Sequence, residues 1–183
     1  ELQEARKRVA GLEEEIIRQR ADFAAYPGLL NEYASLNTRY AHHAEAQKHI
    51  QASRQAFEQA IEKRASAEAG PVRADVDALL PNDPYGALRA FSKFPRPLLE
   101  ICPAGRDILA RRKELEARLQ RELPTELERI ETLMRDEDFE GARARARYLI
   151  ANVGPQHVES LQRLVTSADS AEAILREKIA PRL

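Results

Sequence analysis

His42, Glu45 and His49 stand three and four residues apart, a spacing that places three metal-capable side chains on one face of a helix. Such a set suits zinc or nickel, but no fourth ligand lies nearby in the sequence, and the face is opposite the apolar seam, where water solvates polar side chains. No structural metal is expected there. The run also differs from the Glu-x-x-His pair of di-iron bundles, because Glu45 and His49 are four residues apart. Cys102, the single cysteine, sits beside Pro103 among apolar residues with no nearby histidine to favour its thiolate, so a buried, inert thiol is expected. The seven glycines form neither a phosphate loop nor a nucleophile elbow. The chain therefore reads as a non-enzyme with no cofactor.

Basic residues concentrate twice, at Arg106, Arg111, Arg112, Lys113, Arg118 and Arg121 and at Arg143, Arg145 and Arg147. Glu114 and Glu116 interleave the first group, and Asp136, Glu137, Asp138 and Glu140 precede the second, so surface ion pairs are expected rather than a phosphate-binding stripe. The formal net charge of −1, from 29 basic and 30 acidic residues, supplies no field to draw the chain onto nucleic acid, and none is expected as a partner. Pro81 and Pro84 match a polyproline ligand only formally, since Asn82 and Asp83 lie between them, and they read as a linker. No window approaches the ~18 apolar residues of a membrane span. A lone cysteine favours the cytoplasm. The chain begins at Glu1, and we read it as a segment of a larger protein.

The elements that would carry these residues are helical. Charged residues make up 32% of the chain and aromatics 5%, against 43% apolar, a balance suited to long helices that each bury a narrow stripe. The fold class expected is all-α and elongated. Leu2, Val9, Ile16 and Phe23 recur every seven residues, with Ala5, Leu12, Gln19 and Tyr26 three residues after each, which predicts a coiled-coil-like helix over 2–26. Pro27 and Gly28 then predict a turn into a second helix to about Arg64, whose seam holds Leu29, Tyr33, Leu36, Tyr40, His43, Gln47, Ile50, Arg54, Phe57 and Ile61. An antiparallel hairpin results, with a single kinked rod as the alternative. At 1.5 Å per residue the second helix, ~50 Å, exceeds the first, ~39 Å.

Over 67–103, Gly70, Pro71, Pro81, Pro84, Pro95, Pro97 and Pro103 predict short helices, one of them capped by Asp83 and Pro84 and stopped by Pro95. A longer helix resumes at Ala104 with Ile108, Leu115, Leu119 and Leu123. Thr125 and Glu128 form a capping box that predicts a new start there. A further helix runs from Phe139 through Ala142, Ala146 and Leu149 to Val153, ended by Gly154 and Pro155, and a last one, with a break near Ser167, carries Val158, Leu161, Val165, Leu175 and Ile179. Three regions follow: a helical hairpin over 1–66, a Pro-rich short-helix segment over 67–103, and short helical hairpins over 104–183.

Asp83, Gly86 and Ala87 recur 55 residues later as Asp138, Gly141 and Ala142, which suggests a repeated helical hairpin. With Asp138, Phe139, Ala142 and nearly Pro155 in place, residues 124–156 resemble a tetratricopeptide repeat, and 72–96 resemble it through Ala87 and Phe91. Glu126, Arg129 and Ile130 stand where that family has Trp, Leu and Gly. The resemblance implies a peptide-binding or protein-assembly surface without catalysis.

The function expected is thus a noncatalytic helical scaffold or protein–protein interaction module. The alternatives are a coiled-coil arm of a larger DNA-associated ATPase and a helical sensor domain of a membrane receptor. The unmatched length of the second helix singles out Tyr33, Tyr40, Ile50, Arg54, Phe57 and Ile61 as interaction residues, with a homodimer as one way to cover them.

Overall fold

The computed structural model describes residues 1–19, 22–153 and 155–179. Among the described residues there is no strand; the chain is all-α. It divides into two compact units, 1–116 and 117–183, with the division inside one helix.

In the first unit, α1 (Leu2–Gln19) buries Ala5, Val9 and Leu12 at the predicted three- and four-residue spacing. The helix ends earlier than the heptads predict. Asp22 accepts a hydrogen bond from the Ala24 N–H at 2.9 Å and caps a 3₁₀ turn, Phe23–Ala25. α2 (Tyr26–Arg39) starts at once. The chain therefore changes direction before Tyr26, not at Pro27–Gly28: Pro27 occupies the first helical turn, where its missing N–H has no intrahelical partner to lose.

The predicted second helix is also two helices. α2 closes at Tyr40, whose N–H reaches the Leu36 carbonyl at 3.0 Å, and α3 (Ala44–Leu79) begins after a short turn. His43 is not a seam residue. It is the N-cap of α3, its imidazole accepting from the Ala46 N–H at 3.3 Å. Both α1 and α2 pack on α3. Three aromatic rings lock this contact: Phe57 of α3 meets Tyr26 edge-on at 5.4 Å and Tyr33 at 6.2 Å.

α3 then runs straight through Gly70 and Pro71, where short helices were predicted. Both residues face water, while Ala65, Ala69, Val72 and Val76 continue the buried stripe on the other side. The Ala67 carbonyl that Pro71 cannot bond is on an exposed residue, so water satisfies it and packing holds the helix across the proline. Asp83 caps α4 (Pro84–Ala90) as predicted, accepting from the Gly86 N–H at 2.8 Å. Two 3₁₀ turns, Phe91–Lys93 and Arg96–Leu98, lead to α5 (Pro103–Arg135). The start of α5 lies hard against the second turn: a Cβ on Gly105 would stand 1.9 Å from the Leu98 carbonyl oxygen. Glu62 of α3 accepts from the Ala104 N–H at 3.2 Å and serves as a cap supplied from another helix.

In the second unit, α5 continues through Pro124, so the predicted capping box at Thr125 and Glu128 lies in the middle of a helix. Pro124 and Thr125 are exposed, and Leu119, Leu123 and Ile130 form an unbroken buried stripe. Leu133 and Met134 accept the Asp138 and Glu137 N–H groups at 2.9 and 3.2 Å, with Glu137 at φ 63°: a Schellman ending with a glutamate in the left-handed position. Asp138 then caps α6 (Phe139–Ile150) through the Gly141 N–H at 2.9 Å. α7 (Pro155–Ile179) packs on α6 and is continuous across Ser167. Gly154, expected to end α6, lies outside the described residues. The alanine-rich face of α6, Ala142 and Ala146 with Leu149, lets Leu161 and Ala168 of α7 come close. The boundaries expected after 66 and 103 fall inside α3 and at the first turn of α5.

Candidate functional site

Of the six residues singled out for interaction, Tyr33, Tyr40, Ile50, Phe57 and Ile61 are buried within the chain. The length mismatch that motivated their choice does not arise, because the long second helix divides at Tyr40–His43 and α3 receives both α1 and α2. Arg54 is half-exposed and pairs with Glu58 at 2.8 Å along its own helix. Tyr33 donates to Ser53 at 2.8 Å, and Ser53 donates to Glu13 at 2.6 Å. Burial pushes the Tyr33 phenol above its usual range, and the Glu13 charge adds to this.

His42 lies in the turn before α3, whereas Glu45 and His49 lie on α3 itself, so the three do not share one helical face. Glu45 is engaged with Lys48 at 3.2 Å. Among the described residues no cluster of three or more His, Cys, Asp or Glu could hold a metal ion. Cys102 is buried and its thiol donates to the Leu98 carbonyl at 3.2 Å. Burial pushes that thiol up, away from the reactive thiolate; the Gly105 backbone opposes the shift, Glu62 reinforces it, and Arg106 weakly opposes it.

Four residues of the basic concentrations are ion-paired. Arg143 pairs with Glu172 and Asp169, Arg145 with Glu126 at 2.6 Å, Arg111 with Asp107 at 3.3 Å and Arg118 with Glu122 at 3.7 Å. Pro84 opens α4 and is therefore helical, not polyproline. Among the described residues no helix is long and apolar enough to cross a membrane.

The surface feature that stands apart is a groove at the end of α1. Its floor is Tyr26, Phe57 and Ile61, and its walls are Ile16, Ile17, Ala60, Lys63 and Arg64. Ile17 is 69% exposed, more than the other exposed large hydrophobic residues described, Ile174 and Leu79. Arg64 leans over the Phe23 ring, 4.5 Å from its centroid, and donates to the Tyr26 hydroxyl, so the groove's edge is held by contacts that do not involve a carboxylate. Sequence reasoning placed Phe57 and Ile61 correctly on the apolar face of their helix but missed Ile17. The signal was present: the heptad seam uses Ile16, which leaves the adjacent Ile17 off the seam with no interior to enter.

No protein family, no curated protein and no solved structure matches this chain.

Proposed function

We propose that the chain is a noncatalytic helical interaction module, and that the groove at the end of α1 is where it receives a protein partner. The observation that carries this reading is the exposure of Ile17 above a floor of packed aromatic and aliphatic side chains, an arrangement of the kind in which binding energy concentrates. The interior lends further support: among the described residues no charged side chain is buried. The thiol, the most nucleophilic group present, is turned inward onto a backbone carbonyl.

The test is site-specific photo-crosslinking in cells, with a benzophenone side chain at Ile17 and, as a control, at the exposed Ala173 of α7. A discrete protein adduct at Ile17 and none at Ala173 is expected. Equal labelling at both positions would overturn the assignment of the groove.

A further inference from the structure

We infer that the groove between α1 and α3 takes an acidic amphipathic helix from its partner, an inference that rests on the reading of this groove as the partner site. Over the roughly two turns from Glu58 to Arg64, α3 carries two carboxylates and two cations, and it presents them on different sides. Glu58 and Glu62 line a separate polar cleft with Ile101, Cys102, Pro103 and Arg106, where Glu62 caps α5. Lys63 and Arg64 line the apolar groove, and among the described residues no carboxylate lines it with them. On α1, Glu13, Glu14 and Glu15 are not among the described residues that line the groove; Glu15 pairs with Arg18 at 2.9 Å, and Glu13 is held by Ser53. An apolar floor with cations alone at its rim is complementary to an apolar stripe flanked by Asp or Glu.

The shape of the site favours a helix. The groove lies between the flank of α1 at Ile16 and Ile17 and the flank of α3 from Phe57 to Arg64, so two of its walls are helix sides. An incoming helix buries a stripe at three- and four-residue spacing and satisfies its own backbone, whereas an extended segment finds no strand edge here to bond.

The experiment is selection of a random peptide display library on the full chain, with binders retained only if Ile17→Glu abolishes them. Circular dichroism must first show that this variant of an exposed residue keeps its helicity. The retained sequences should be net acidic, with apolar residues three and four apart. Affinity for a retained peptide should fall about five- to tenfold in Lys63→Glu, the change from an exposed attraction to a repulsion, and selection on Lys63→Glu should return basic peptides instead. Neutral or basic binders on the wild-type chain would overturn the inference, as would acidic binders indifferent to Lys63→Glu or a complete absence of Ile17-dependent binders. A second copy of the chain as occupant would also overturn it, seen as a sedimentation dimer that Ile17→Glu dissolves. If the Ile17 crosslink captures a partner while the selected peptides are not acidic, this inference fails and the interaction reading stands.

Discussion

Tyr33 on α2 and Ser53 on α3 form a hydrogen bond of 2.8 Å across the helix interface, and Ser53 in turn donates to Glu13 on α1, so one chain of three side chains ties the first three helices together. Tyr33 is completely buried and its hydroxyl has this one route to satisfaction toward the surface. Ser53→Ala would strand that hydroxyl, and should cost about 1–3 kcal/mol, whereas Tyr33→Phe removes the group altogether and should cost about 0.5–1.5 kcal/mol. The double variant should recover part of the Ser53→Ala cost, because no hydroxyl is left stranded. Urea unfolding of the four proteins measures this, and strictly additive costs would show that the two residues are not coupled.

Two glycines should respond in opposite directions to the same change. Gly105→Ala drives a methyl group to 1.9 Å from the Leu98 carbonyl oxygen, and because that atom is backbone it cannot swing aside. A loss of at least about 1–3 kcal/mol follows from such overpacking. Gly11 lies exposed in the interior of α1, with no atom beyond its own helix within 4 Å of where a Cβ would go, so Gly11→Ala should gain about 0.5–1 kcal/mol through helix propensity. Thermal unfolding of both variants tests the pair. A neutral Gly105→Ala would mean that α5 does not lie against the Arg96–Leu98 turn.

Asp83 and Asp138 were legible in the sequence as helix starts, and the structure shows why: each is followed by a glycine whose N–H its carboxylate accepts, with the carboxylate filling the space a Cβ would need. The apolar stripes were legible for the same local reason. Pro71 and the capping box at Thr125 and Glu128 misled, because a proline or a capping pair on the wet side of a long helix is indistinguishable in sequence from one that bounds a helix; only the packing of Ala69, Val72 and Val76, or of Leu123 and Ile130, decides. The break at Tyr40–His43 carries no Gly or Pro and is closed by backbone hydrogen bonds and an imidazole cap, so the heptad pattern ran over it. The groove was hidden for a further reason: it depends on how Ile16 and Ile17 of α1 lie against Phe57 and Ile61 of α3, a relation between elements distant in sequence.

The ending of α5 yields a sharper test of local geometry. Glu137 holds φ 63°, a conformation that costs a side-chain-bearing residue roughly 1 kcal/mol and a glycine almost nothing. Glu137→Gly should stabilise the second unit by about 0.5–1 kcal/mol, whereas Asp138→Ala, one residue on, should destabilise it by about 1 kcal/mol through loss of the α6 cap. Hydrogen exchange of the α6 amides would report both. A destabilising Glu137→Gly would mean that the left-handed position is not occupied as described.

The contact between α6 and α7 should be sensitive to acid. The Arg143 guanidinium beside Glu172 is the main cause holding that carboxyl below the usual carboxylate range, with Arg176 helping and desolvation opposing. A carboxyl with a lowered value in the folded state contributes stability that is fully present above the ordinary glutamate value, about 4.3, and is lost as the pH falls through the lowered one. Acidification from about pH 5 should therefore loosen the α6–α7 contact in the wild type. Glu172→Gln removes the titrating group, so that variant should start less stable at neutral pH and lose less on acidification. Melting temperatures of the two proteins, followed from about pH 7 to about pH 3, should converge; curves that stay parallel would show that Glu172 contributes nothing through its charge.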